Sequence, residues 1–272
     1  MKNVVKITLM ATFLSFFSCF NKKNETDLKL KNKMNSVQDY VNKKVKQKIF
    51  KEETEFDYSD FEDLKNNKYY ELFFAGNLKI TSGKIVCTDP IYREVGYPQN
   101  WEVEPGEYPV NLYIGLEDDF QGRVAYAEIN FKNEIPAYWE LSLIDERVLS
   151  DFEKKMNGMY PVENGLGCFT DFETYKIYNQ EFNDYLNVNR KGNYYLDILE
   201  PHFKENSNNP KSSRGEDWIN YKPTKSNANI IMFGSGYGDG LYPKYVGFDK
   251  NGKVIKLITD FIQITEEEEN DK

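Results

Sequence analysis

Four aspartates stand beside a glycine, a proline or a strand end, and their surroundings share a flavour. Asp89 closes Gly83-Lys84-Ile85-Val86-Cys87-Thr88-Asp89-Pro90, and Asp171 closes the segment from Tyr160 through Gly165-Leu166-Gly167-Cys168-Phe169-Thr170. Asp239 lies inside Gly234-Ser235-Gly236-Tyr237-Gly238-Asp239-Gly240-Leu241-Tyr242-Pro243, and Asp260 precedes Phe261. If a fold brings such carboxylates together, they suit a divalent cation bound through oxygen, or an acid and base pair. Two of them astride a glycosidic bond would make a glycosidase. Aspartate also favours turns, where its side chain accepts backbone N–H groups. The four are therefore candidate catalytic residues and candidate turn residues at once.

The glycine-rich segment supplies the other candidates: Gly234, Ser235, Gly236, Gly238, Asp239, Gly240 and Tyr242, as a loop that approaches a ligand closely. Known glycine motifs do not fit it. No Gly-Lys-Ser/Thr follows, as a phosphate-binding loop requires. The third glycine of a dinucleotide fingerprint would fall on Asp239 or Leu241. Phe233 stands where a nucleophile elbow needs glycine. The competing expectation is a tight loop between two strands, with Asp239 accepting backbone hydrogen bonds. His202 is the only histidine and cannot build a histidine-rich metal site. Its pairing with Cys168 or Ser235 as base and nucleophile is disfavoured by its place outside the Gly/Asp motifs. No metal-ligand set or cofactor motif is legible.

These residues must be carried by elements, and most elements read as strands. Tyr108, Val110, Leu112 and Ile114 alternate with polar neighbours, as do Ala125, Ala127, Ile129 and Phe131. Tyr70, Leu72 and Phe74 lead into a strand over Leu78–Cys87. Asn229–Phe233, Tyr245–Phe248 and Lys253–Phe261 close the series, with Asp249-Lys250-Asn251-Gly252 as a hairpin turn. Between them, Val148, Phe152 and Met156, then Phe172, Tyr175, Tyr178, Phe182 and Tyr185, recur at helical spacing. Tyr194–Phe203 predicts a further helix interrupted by Pro201, and residues 204–227 read as a loop. Asp57 to Asn66 predicts a short helix. The fold class expected is α+β, mostly antiparallel strands in a sandwich-like arrangement with a helical insertion near 145–205. Gly-x-Tyr-Pro occurs at Gly106, Gly158 and Gly240, which turn chemistry at strand starts explains.

The two ends differ from this body. Lys2 and Lys6 open the chain, Ile7 to Phe17 carries no charge, and Ser18 precedes Cys19. This pattern predicts a bacterial lipoprotein signal peptide over 1–18, with acyl chains such as palmitate on Cys19. Phe16 and Phe17 depart from the small or aliphatic pair usual there, so a plain secretory signal is the alternative. Residues 19–55 read as a polar, Lys-rich tether, part of which has helical spacing (Val37, Tyr40, Val41, Val45, Ile49). Residues 56–265 read as one domain and 266–272 as an acidic tail. The chain has 272 residues and a net charge of −9, which becomes −11 once Lys2 and Lys6 leave with the signal. Such an acidic chain is a poor nucleic-acid binder, since neutralising phosphates needs a basic face. Cys87 and Cys168 lie outside any Cys-x-x-Cys pattern, and their pairing stays open.

In order along the chain, G-K-I-V-C-T-D-P, P-G-E-Y-P-V, R-V-A-Y-A, P-V-E-N-G-L-G-C-F-T-D, G-S-G-Y-G-D-G-L-Y-P-K-Y and T-D-F resemble the domain-of-unknown-function family 4241, over about Gly83 to Phe261. The resemblance implies one integrated domain and no activity. Two functions then compete. One is a non-catalytic module at the cell envelope, bound to the membrane through Cys19 and binding a protein, peptide or glycan through its Gly/Asp-rich loops. The other is a hydrolase using the carboxylates, with or without a divalent cation.

Overall fold

The computed structural model describes residues 61, 64–65, 68–92, 96–116, 121–154, 157–206 and 218–261. The expected signal peptide, Cys19, the expected tether and the expected acidic tail lie outside the described residues. So does most of the helix expected over Asp57–Asn66, of which Phe61, Leu64 and Lys65 are described.

Eleven described strands form two antiparallel sheets. The strands are β1 Tyr70–Ile80, β2 Ile85–Thr88, β3 Gly106–Gly115, β4 Val124–Asn130, β5 Tyr138–Leu141, β6 Met159–Val162, β7 Leu166–Asp171, β8 Trp218–Tyr221, β9 Ile230–Gly234, β10 Gly240–Phe248 and β11 Val254–Asp260. The large sheet has seven strands in the order β1-β3-β4-β11-β10-β5, with β6 beside the first half of β10. The small sheet runs β2-β7-β9-β8. Two helices follow β7: α1, Phe172–Val188, and α2, Glu200–Asn206. The α+β, sandwich-like class holds.

Alternation decides which side of each strand is buried where. Leu78, Ile80, Val110, Leu112, Ile129 and Leu257 face Cys87, Phe169, Ile231 and Phe233 across the space between the sheets. The opposite face of the small sheet (Val86, Cys168, Ile219, Ile230, Met232) packs on the helices through Tyr175, Tyr178, Phe182, Tyr194, Leu199 and Phe203. The outer face of the large sheet gathers Tyr113, Tyr126, Trp139, Tyr245 and Ile258 against Phe61 and Leu64. Aromatic side chains thus fill three layers of core, as aromatic-rich β packing requires.

Four expectations are corrected. The strand expected over Leu78–Cys87 is broken by a turn at Thr81–Lys84, where Gly83 takes φ +79° and a Cβ would meet the Val103 carbonyl oxygen at 2.7 Å. The insertion near 145–205 is not all helical: β6 and β7 run through it, because their short apolar segments pair with β10 and with β2 and β9. The loop expected over 204–227 contains β8, whose Trp218, Ile219 and Tyr221 bury against β9. Pro201 does not interrupt the helix. The turn before it, Tyr195–Leu199, is widened to π geometry, and the Glu200 N–H bonds the Tyr195 carbonyl five residues back. A proline needs such relief, since it brings no N–H and its ring crowds the carbonyl four residues earlier.

Candidate functional site

The glycine-rich loop joins β9 to β10 and is tied down from within. Ser235 Oγ donates to the Gly238 carbonyl at 2.8 Å, and the Gly238 N–H donates to the Ser235 carbonyl at 2.9 Å. Tyr242 Oη donates to the same Gly238 carbonyl at 2.8 Å, and burial raises the Tyr242 phenol above its ordinary range. The Ser235 N–H reaches the Gly165 carbonyl at 3.0 Å. Gly236 sits at φ +54°, and a Cβ there would lie 2.9 Å from both Phe261 Cβ and the Val124 carbonyl oxygen. Glycine is required by packing and backbone angle together. Arg123 Nη1 donates to the Gly236 carbonyl at 3.0 Å, and its guanidinium stands 5.8 Å from the centre of the Tyr237 ring. Tyr237 is the large side chain the loop exposes, at 44%.

The four aspartates do not share one task. Asp89 is wholly buried: Oδ1 accepts from the Ile91 N–H at 2.8 Å, and Oδ2 accepts from the N–H groups of Glu163 and Asn164, each at 2.9 Å, and from Asn164 Nδ2 at 3.1 Å. Burial raises its carboxyl above the ordinary carboxylate range, and these donors offset only part of the rise. Asp239 is half-buried and accepts from the Gly165 N–H at 3.1 Å. These two carboxylates therefore hold one loop, residues 163–165, from two sides. Asp171 is at the far end of β7, roughly 17 Å of strand away. Its Oδ1 accepts from the N–H groups of Thr81 (3.0 Å) and Ser82 (2.7 Å) and from Ser82 Oγ (2.7 Å). Its Oδ2 accepts from Thr81 Oγ1 (2.9 Å) and caps α1 through the N–H groups of Glu173 (3.1 Å) and Thr174 (3.4 Å). Asp260 is buried in β11 opposite Tyr126, on the strand parity of Ile258 and so of the sheet's outer face. Among the described residues, no group of three or more His, Cys, Asp or Glu is placed to hold a metal ion.

His202 is exposed on α2, its ring 5.5 Å from that of Tyr221, and Ser235 spends its hydroxyl on Gly238. They form no base–nucleophile pair. Cys87 and Cys168 are free thiols on opposite faces of the small sheet, one in the inter-sheet core and one under the helices. Burial pushes Cys87 up to about 12, and Cys168 well above its ordinary value. Neither suits a nucleophile, which must ionise.

Two of the Gly-x-Tyr-Pro motifs build one device. Tyr108 Oη donates to the Glu104 carbonyl at 2.6 Å, and Tyr242 Oη to the Gly238 carbonyl, each four residues upstream. Each ring lies over the glycine two residues before it, where a Cβ would meet the ring at 3.1 Å over Gly106 and 3.0 Å over Gly240. The arrangement resembles the tyrosine corner of β-sandwiches.

The family described as "Protein of unknown function (DUF4241)" matches residues 78–259. The chain belongs to this family. No curated protein and no solved structure shows a significant match to the chain. The DUF4241 match runs from the last three residues of β1 to the penultimate residue of β11 and so contains the whole 234–240 loop.

Sequence reasoning missed two sets of polar residues. Lys244, wholly buried in β10 on the side facing the small sheet, is lowered by burial to about 8. Glu128, Asn130 and Lys256 cluster on the outer face of the large sheet. Both sets alternate with apolar residues, which in sequence is the signature of a solvent-facing position.

Proposed function

We propose that this chain is a non-catalytic binding module, held at the bacterial cell envelope by acyl chains on Cys19, that recognises a protein, peptide or glycan through its 234–240 loop. The observation that carries this reading is the presentation of Tyr237 beside Arg123 on a loop whose remaining polar contacts turn inward. Tyrosine and arginine recur as binding hot spots, and a loop already held in shape loses little entropy on binding. The carboxylate chemistry of a hydrolase has weaker support, because Asp89 and Asp171 already accept several protein hydrogen bonds that a cation or substrate would have to displace.

The test is an affinity capture from the membrane fraction, with wild type and Tyr237→Ala run side by side. A specific partner or glycan is expected on the wild type, with recovery reduced about tenfold or more on the variant. Equal recovery on both, or none on either, counts against the loop. Cys19→Ala is expected to move the protein out of the membrane fraction, and its retention there would overturn the anchor.

A further inference from the structure

The outer face of the large sheet holds a second, unrelated constellation. Asn130 in β4 and Lys256 in β11 are direct cross-strand partners, so their side chains share a face and leave it side by side. Glu128, two residues before Asn130 on the same face, is wholly buried. Its Oε1 accepts from Asn130 Nδ2 and lies 3.8 Å from Lys256 Nζ. Its Oε2 accepts from Tyr113 Oη at 2.7 Å, which fixes the carboxylate so that Oε1 faces both nitrogens. Asn130 and Lys256 are themselves buried, at 8% and 9% exposure. Asn130 Oδ1 is buried without a hydrogen-bond partner. Such an unsatisfied carbonyl is uncommon, and here it belongs to the amide whose nitrogen and whose neighbouring amine share one carboxylate oxygen.

We infer that this cluster is a self-modification site, where Lys256 and Asn130 join through an isopeptide bond with Glu128 as the proton carrier. In its neutral form, the Lys256 amine attacks Cγ of Asn130. The Nζ–Cγ bond forms and the Cγ–Nδ2 bond breaks. Glu128 takes a proton from Nζ and hands it to Nδ2, which leaves as ammonia. The carboxylate is regenerated, and the step uses no oxidant or cofactor. The burial of Glu128, Asn130 and Lys256 favours it, because little water can compete with the amine for Cγ. Tyr113 is a positioning residue: it touches neither reacting atom and holds the far oxygen of the base.

Peptide mapping of the folded, full-length protein decides the matter. Tryptic digestion of the wild type should yield a branched species joining residues 124–132 to residues 254–272, uncut after Lys256 and lighter than the sum of its arms by one ammonia. Glu128→Gln should yield linear 124–132, 254–256 and 257–272, with cleavage after Lys256 restored. Linear arms from folded wild type would overturn the inference, as would Asn130 converted to aspartate with no branch. A branch that persists in Glu128→Gln would overturn the role of Glu128 as carrier. If Glu128→Gln fails to fold, Lys256→Arg supplies the linear control, and the wild-type digest alone still reads the bond.

Discussion

Asp171 shows how much one carboxylate can hold. It closes the β1–β2 turn and starts α1 with the same two oxygens. Asp171→Ala therefore strips a helix cap and leaves the N–H groups of Thr81 and Ser82 without their acceptor. The expected loss is about 1–3 kcal/mol in urea unfolding, larger than a cap alone, because the buried Thr174 N–H and the turn donors of Thr81 and Ser82 lose one shared acceptor together. Lys244 is the opposite case, a residue that costs stability. Its folded value of about 8 lies below its ordinary 10.5, so between those pH values the unfolded chain holds a proton that the folded one has lost. Stability then rises as pH climbs through that window, and the full cost of about 3 kcal/mol is present at neutral pH. Lys244→Met should recover about 2–3 kcal/mol at pH 7 and flatten the slope between pH 8 and 9. That interval is the one to measure, since Cys87 and the buried tyrosines, all raised, act with the opposite sign at higher pH.

At the scale of elements, the repeated tyrosine device makes a paired test. Tyr242→Phe removes a buried hydrogen bond and should cost about 1–2 kcal/mol; Tyr108→Phe, whose hydroxyl is nearer solvent, should cost about 0.5–1 kcal/mol. The two lie in different strands, so thermal or urea denaturation of the double variant should give their sum. Several strands were legible in sequence: β3 and β4 fall where alternation places them, β9 and β11 fall on the expected Ile-, Val- and aromatic-rich runs, β10 begins at Gly240 rather than at the expected Tyr245, and the Asp249–Gly252 turn closes with the Asp249 N–H on the Lys253 carbonyl at 2.8 Å. Those that escaped have a physical reason. β8 is four residues long beside a polar stretch, so no local period marks it, and only its pairing with β9 makes it a strand. The Pro201 helix persists because a π turn absorbs the proline, which no propensity encodes. For the site, Asp239 as a backbone acceptor and the fixed Gly loop followed from turn chemistry. The Arg123–Tyr237 pairing did not, because it joins residues from distant parts of the chain.

For the whole molecule, the three core layers predict how it opens. Cys87 and Cys168 are sealed on the two faces of one sheet, so neither can react with a thiol reagent unless a layer parts. Labelling in native buffer should be slow for both and proceed at a common rate if the sheets open as one unit. Fast labelling of Cys168 alone would show the helical layer lifting off by itself. Mild urea should accelerate the common rate with the steepness of global unfolding.

The position of β11 carries a consequence in time. It is the last described strand of the chain, yet it lies inside the large sheet, with β4 on one side and β10 on the other. A ribosome or an export channel delivers residues in order, so β4 and β10 emerge with the slot between them vacant. The sheet can close only when residues 254–260 arrive. A nascent chain of this protein must keep its large sheet open until β11 has been made.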